Sequence, residues 1–428
     1  MFSQKIRRFV QLRQGEGPAL VWSFIYFFLL LGSYYVIRPI RTEMVIVSGI
    51  DQLHWLALAV FGGMLLVVPI FGWMTQKLRR HVFLNAVYIF FSFNLVIFYL
   101  LFNAAETTAL LARAFYVWVG VFNLFVVSVF WSFMADIFNR EQSRRLFATI
   151  AAGGTSGALL GPLVTALLVG RIGISNLFLV AAVMLIGTLF CINKLRLWRQ
   201  NFSEQQGLQN KAQPKLKGGV LDGIKLVMSS RYLLGICVLM TGYSVCATLL
   251  SIQVAEQVEV LYPDSLERTR LFAIIDSVVN FLTLVFQLFL TSRLLKWLRM
   301  ARMLAILPLA MMLGFIAVIV APLIVFYAVA EIVRRAFEYG INKPAREMLY
   351  VPLPRDEKYK AKNFIDTGVH RGADLMSTWL MAGFRWAGLS SQMVALIAAL
   401  LAGGWLLVAL RTGKAYRSLS NSDKLAAQ

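Results

Sequence analysis

Apolar runs about twenty residues long recur along this chain, and no other feature constrains its fold as strongly. A helix needs roughly 20 mostly apolar residues to cross the hydrocarbon core of a bilayer. On that rule the sequence predicts membrane helices near 18–37, 53–73, 83–102, 110–134, 147–168 and 177–192, and again near 232–252, 271–291, 303–320, 322–337, 364–386 and 392–410. A polar stretch, 193–230, separates the two sets. The expectation is an all-α membrane protein of about twelve transmembrane helices. They fall in two six-helix halves, 1–192 and 231–428, joined by the linker 193–230. Composition agrees, because 59% of the 428 residues are hydrophobic and only 15% are charged, where a soluble domain would be nearer a quarter.

The formal net charge is +21. In a soluble protein such a balance would point to nucleic acid, but here topology accounts for it. Of the 42 lysines and arginines, 32 fall at the N-terminus, at the C-terminus or in every second loop. The opposite loops hold only Arg38, Arg41, Arg171, Arg268 and Arg270. The positive-inside rule then predicts a multi-pass protein of the inner membrane with both termini and the linker cytoplasmic. No nucleic-acid partner is needed. The basic start MFSQKIRR leads into an apolar run long enough to span, without a small-residue cleavage site, so it reads as a first helix and not as a cleaved signal. Cys191, Cys237 and Cys246 lie in apolar runs without metal-ligand spacing. There is no P-loop motif and no H-E-x-x-H. The reading is of a chain that is not an enzyme, with no cofactor, no metal and no covalent chemistry.

Ionisable groups at membrane depth are expensive and survive mainly where they pair or line a polar path. They concentrate between Ala330 and Asp374, where two apolar helices flank a basic loop containing Pro352 and Pro354. Glu331 precedes Arg334 and Arg335 by three and four residues, so they share a helix face and can pair. Asp366, His370 and Asp374 recur every four residues, with Arg371 adjoining. Three roles are open to this cluster: a salt-bridge gate at the cytoplasmic mouth, direct contact with a solute, or a proton relay through the imidazole. In the first half, Arg38-Pro39-Ile40-Arg41-Thr42-Glu43 closes the first span. Pro39 removes a backbone donor, so the helix is expected to break there. Arg113 enters the fourth span, followed by Phe115, Tyr116 and Trp118, a setting for a phosphate and a base or for an interfacial aromatic belt. Asp276 has no base within a turn and must pair across helices or change protonation. The charge inside the membrane is thus in cationic surplus, and arginine favours bidentate recognition of phosphate or carboxylate. The partner expected is a small anionic solute.

Gly153, Gly157 and Gly161 place a smooth stripe on one helix face and suit close packing, and Gly62-Gly63 with Pro69 are read as playing a similar part. A kink is expected at Gly161-Pro162. Six helices, a cytoplasmic linker and six more, with Gly72 through Arg80 after the second span and Gly157-x-x-x-Gly161-Pro162 in the fifth, resemble the major facilitator superfamily. That resemblance implies two halves rocking about a site near the midplane.

A second resemblance is narrower. The block Asn342-Lys-Pro-Ala-Arg346-Glu-Met-Leu-Tyr-Val-Pro352, continuing Glu357-Lys-Tyr-Lys-Ala-Lys362-Asn-Phe-Ile-Asp366 to Arg371-Gly372, is similar to the ATP/ADP translocase family of plastids and intracellular bacterial parasites. Tyr34 through Glu43 resembles the end of that family's first helix, and Arg144-Arg145-Leu146-Phe147 before Gly153-Gly154 is a looser third match. The resemblance implies exchange of ATP for ADP and phosphate, or nucleotide import with protons. Arg38, Arg41, Arg346 and Lys362 would then lie in or near the nucleotide path. The chain departs from the family in its shorter length, in arginines where lysines are usual in the first helix, and in Pro39 between them. The function expected is secondary active transport, by alternating access, of an anionic and phosphate-bearing metabolite such as ATP, ADP or another nucleotide. Arg38, Arg41, Arg113, Arg334, Arg335, Arg346, Lys362 and Arg371 would bind the solute. Glu43, Asp276, Glu331, Asp366, His370 and Asp374 would couple or gate, in a monomeric carrier. The competing expectations are a proton-coupled exporter of another organic anion or siderophore-like compound, and a membrane sensor or scaffold that transports nothing.

Overall fold

The computed structural model describes residues 12–13, 15–77, 80–104, 108–206, 226–354, 361–362 and 364–426. The first helix among the described residues, α1, is Gly17–Val47, and a single 3-10 turn, Ile50–Gln52, leads to α2 (Leu53–Lys77), α3 (Arg80–Ala104) and α4 (Ala109–Ile137). The run Arg140–Gln206 is broken at Gly173, whose φ of 77° and ψ of 170° suit a residue without a side chain, giving α5 (140–172) and α6 (174–206). Next come α7 (Arg231–Leu261) and α8 (Ser265–Val285), the latter prolonged through a π-turn, Phe286–Leu290, into Thr291–Trp297. After α9 (Met300–Val320), α10 (Ile324–Phe337) continues through a π-turn, Glu338–Asn342, into Lys343–Leu349. The π-turn Ile365–Val369 opens α11 (His370–Trp386), and α12 is Ser391–Ala426.

Among the described residues, nine stretches are long and apolar enough to cross a membrane. The stretch 145–201 counts once there but contains the break at Gly173 and so belongs to two helices. The α-helical parts of α10 and α11 are only 14 and 17 residues long, because a π-turn follows the first and precedes the second. The chain is a multi-pass, all-helical membrane protein.

Several expectations are corrected. α1 does not break at Pro39 but runs on to Val47 with the proline in its interior. The fixed φ of proline is itself helical, so only one hydrogen bond is lost, and the Thr42 hydroxyl donates to the Arg38 carbonyl at 3.3 Å one turn on. α6 and α12 outrun their expected ends at 192 and 410, since the polar residues that follow their apolar runs include good helix formers. A Cβ on Gly62 would meet nothing within 4 Å, and one on Gly63 only ordinary contacts at 3.5 Å or more, so this pair makes no close-packing stripe. The linker residues 207–225, the basic loop residues 355–360 and Asn363, and Arg79 lie outside the described residues.

The chain divides into two compact units. One comprises 1–49, 62–213 and 262–277, the other 50–61, 214–261 and 278–428. In the first, α1 lies against the glycine stripe of α5. A Cβ on Gly153 would sit 2.4 Å from the Phe24 carbonyl oxygen, and one on Gly157 2.3 Å from that of Phe28. Two polar bonds fix the register, Thr165 donating to the Val36 carbonyl at 2.8 Å and Ser33 to the Ala181 carbonyl at 2.9 Å. Tyr26, Tyr88, Phe115, Phe122, Phe130 and Phe178 are fully buried in this core, with Phe27 stacked on Phe130 at 4.1 Å between centroids. In the second unit a Cβ on Gly413 of α12 would fall 2.2 Å from the Cα of Ala301 of α9, and α7 packs on α10, α11 and α12.

Candidate functional site

In the first unit the continuity of α1 through Pro39 puts Arg38 and Arg41 three residues apart on one helical face. Arg38 reaches to α8, its Nη1 3.8 Å from Oδ1 of the buried Asp276, and lies over the ring of Tyr35 at 5.3 Å. Asp276 thus has a basic partner across helices. Glu43 has no exposed surface. It accepts from Arg268 through Nε at 2.9 Å to each oxygen and through Nη2 at 2.7 Å, and from the Ser265 hydroxyl at 2.9 Å. The same Arg268 caps the Tyr262 and Pro263 carbonyls at 2.9 and 2.8 Å.

α1 and α4 also exchange arginines. Arg113 of α4 donates through Nε and Nη2 to the carbonyl of Ser48, which caps α1, at 3.4 and 3.1 Å. Arg41 of α1 donates through Nε to the Tyr116 carbonyl at 3.4 Å, and its guanidinium carbon lies 4.2 Å from the Tyr116 ring centroid. The N-terminal end of α1 is clamped by Glu16, which accepts from Arg145 at 3.0 and 2.9 Å, from Gln142 at 3.1 Å and from the Arg13 amide at 3.0 Å. Burial, the largest influence, pushes the Glu16 carboxyl up, but these donors together outweigh it and hold it below the usual carboxylate range.

The second unit carries the other cluster, and the π-turns shape it. Each inserts an extra residue into a turn and so rotates the helix beyond it, a device common at functional positions. Before the turn in α10, Glu331 accepts from Arg334 Nε at 3.0 Å and from the Ser251 hydroxyl of α7 at 3.3 Å. Arg334 also reaches Tyr243 Oη at 3.2 Å, and Arg335 is buried next to it. Through the turn, Asn342 donates to Glu338, and Arg346 donates to the other oxygen of Glu338 at 3.0 Å. Burial, the largest influence, works against the Arg346 charge, yet the carboxylates of Glu338 and Asp366 outweigh it and hold the guanidinium above its ordinary range. Lys362 pairs with Glu347 at the surface.

On α11, His370 Nδ1 lies 3.7 Å and Arg371 Nη1 3.9 Å from the carboxylate of Asp374. Ser244 of α7 donates to Asp374 and lies 3.1 Å from the His370 ring. Glu331 and Arg334 of α10 and His370 and Asp374 of α11 thus meet one helix, α7, whose Tyr243, Ser244 and Ser251 carried no signal of their own. Sequence reasoning also missed Arg268, which looked like an ordinary loop arginine, and Glu338, although its spacings of four to Asn342 and eight to Arg346 were legible. It missed as well the triad in which Arg385 of α11 pairs with Asp51 at 2.7 Å and with Glu256 of α7. Among the described residues no group of three or more His, Cys, Asp or Glu side chains could hold a metal ion.

The helices superpose on solved transporters over nearly the whole chain. The match to the POT-family transporter PepTSo has a TM-score of 0.63 and covers 95% of this chain and 98% of that one at 13% identity. A D-xylose–proton symporter matches at 0.61, covering 92% and 96% at 13% identity. Identity that low speaks for the fold alone. What they define is the fold class: an all-helical membrane protein of major facilitator-like fold.

The profile of the TLC ATP/ADP transporter family matches residues 112–416, and the chain belongs to that family. Relatives are distant. The ADP,ATP carrier protein 1 of Chlamydia pneumoniae is 22% identical over 348 residues, 72% of this chain and 68% of that protein. The chloroplastic ADP,ATP carrier protein 1 of Arabidopsis thaliana is 20% identical over 351 residues, 73% and 55%. The chain thus spans little more than half the length of the plant relative. The resemblance read from the block around Asn342–Asp366 agrees with this family, and the block lies inside the matched residues.

Proposed function

We propose that this carrier moves an anionic, phosphate-bearing metabolite, a nucleotide such as ATP or ADP, by alternating access and exchange. The observation that carries the reading is Arg41. It sits in a membrane helix against an aromatic ring, and no carboxylate among the described residues pairs with it. A half-buried arginine left without a counter-ion in a largely apolar helix is costly, and an anionic solute in transit would supply one. Family membership supports a nucleotide as that anion, because the relatives are named as ADP,ATP carriers.

In this reading Arg38 and Arg41 contact the solute, and Arg334, Arg335, Arg346, Lys362 and Arg371 guide or bind it at the other cluster. Glu43, Asp276, Glu331, Asp366, His370 and Asp374 hold the ion pairs that re-form during the cycle. Arg113 is assigned to capping α1. The lysine and arginine bias supports cytoplasmic termini and a position in the inner membrane, and we take the working unit to be a monomer.

The test is uptake of labelled ATP into proteoliposomes loaded with ADP, beside empty ones. Uptake that needs internal nucleotide establishes exchange. Folded protein that takes up no ATP under any gradient overturns the nucleotide reading. A second reading, proton-coupled movement of another organic anion, is favoured by the contact of His370 with Ser244 and Asp374. Uptake driven by a pH gradient and indifferent to nucleotides would select it.

A further inference from the structure

We infer that Tyr116 is the positioning residue for Arg41, and that together they form a preorganised fork for an oxyanion. The inference rests on the proposal that the solute is anionic and meets Arg41. Among the charged groups of α1 and its neighbours, Arg41 is held differently from the rest. Arg38 faces Asp276, Arg268 closes on Glu43, and Arg113 turns both Nε and Nη2 to a backbone carbonyl. Arg41 instead has its Nε edge toward the Tyr116 carbonyl, and its guanidinium lies against the ring of the same residue. Among the described residues neither Nη atom of Arg41 makes a hydrogen bond or an ion pair.

The chemistry follows from that placement. A guanidinium has five N–H donors in one plane. With the Nε edge and one face taken by Tyr116, the terminal edge, Nη1 with Nη2, is left as a planar fork, the geometry that grips two oxygens of a phosphate or carboxylate. The ring also offsets part of the cost of holding a cation away from water, through the attraction between charge and aromatic face. Tyr116 therefore does two things with two parts of itself. Its carbonyl fixes the direction of the fork, and any residue at 116 retains that. Its ring fixes the plane, and only an aromatic side chain retains that.

The separation between backbone and ring makes the inference testable without a known solute. The probe is inorganic pyrophosphate, and the reading is its dissociation constant for the detergent-purified full chain, from the ligand-dependent rise in melting temperature. Tyr116→Phe keeps the aromatic face and is expected to bind as the unmodified protein does. Tyr116→Leu is expected to bind about tenfold more weakly, the size of a partly desolvated cation–π contact. Arg41→Ala should weaken binding at least as much, and adding Tyr116→Leu to it should weaken binding no further. Should Tyr116→Leu fail to fold, Tyr116→Met carries the same contrast. Arg41→Ala with unchanged affinity, or no binding by the unmodified protein, overturns the anion reading and this inference with it. If Arg41→Ala weakens binding but Tyr116→Leu does not, or the two losses add, only the role of Tyr116 falls.

Discussion

Glu43 has no exposed surface, and Arg268 closes on it with Nε 2.9 Å from both carboxylate oxygens and Nη2 2.7 Å from one. The pair ties the last turns of α1 to the first turn of α8. Removing one partner of a buried ion pair leaves a desolvated charge and costs about 3–5 kcal/mol. Glu43→Ala is therefore expected to lower the melting temperature of the purified carrier sharply. The exchanged pair, Glu43→Arg with Arg268→Glu, should recover part of the loss. A melting temperature unchanged in Glu43→Ala would show that the pair holds nothing in place.

Arg38 couples Tyr35 on its own helix to Asp276 on α8. Arg38→Ala is expected to abolish exchange while leaving the protein folded and inserted, since the contact to Asp276 is long and the side chain is 19% exposed. Transport by reconstituted protein, normalised to folded protein from gel filtration, decides it. Full activity would remove Arg38 from the site.

Arg371 is the more exposed partner of Asp374, with 42% of its side chain accessible. A pair of that kind contributes about 0–1 kcal/mol, so Arg371→Ala should leave the melting temperature within a few degrees. Transport is expected to be lost all the same, because the proposed role of Arg371 is with the solute. A variant that melts early and keeps full transport would reverse both halves of the assignment.

The Glu16 clamp gives a pH dependence outside the membrane. Burial, the largest influence, raises its pKa, but the bonds from Arg145, the Arg13 amide and Gln142 bring it below the ordinary value in the folded state. A depressed folded pKa adds stability above the unfolded pKa, near 4.3, and that stability fades as pH falls through the lower, folded value. Glu16→Gln should thus be less stable at neutral pH by about 2 kcal/mol. Its deficit should shrink progressively below about pH 4.3. Urea unfolding followed at several pH values checks it, and a deficit constant down to pH 3 would contradict it.

Two glycines make a controlled comparison. A Cβ on Gly157 would meet the Phe28 carbonyl oxygen at 2.3 Å, whereas one on Gly62 would meet nothing within 4 Å. Gly157→Ala must push α1 off α5 and should cost about 1–3 kcal/mol, the range for overpacking. Gly62→Ala should be neutral or slightly stabilising, as alanine is the better helix former. Melting temperatures of the two side by side test the packing, and equal values would refute it.

Hydropathy alone determined that the chain is a bundle of membrane helices, because each apolar run must bury its own backbone bonds within a helix wherever it lies. The spacing of Glu331 to Arg334 and of Gly153 to Gly161 was equally legible, since both are periodicities of a single helix. The block from Asn342 to Asp366 was specific enough to indicate the family. Helix ends were less legible. Pro39 looked like a stop, but the loss of one hydrogen bond is tolerated inside a packed helix, and the run from Asn193 to Gln206 stayed helical beyond the expected end of its apolar run. The partners of the charges were decided only by tertiary structure. Arg268 found Glu43, Arg38 found Asp276 and Tyr116 took the face of Arg41 across gaps of 75 to 238 residues. Nothing local encodes such distances in sequence. Electrostatic and aromatic contacts act over a few ångströms of space, so which residues they join depends on how whole helices pack.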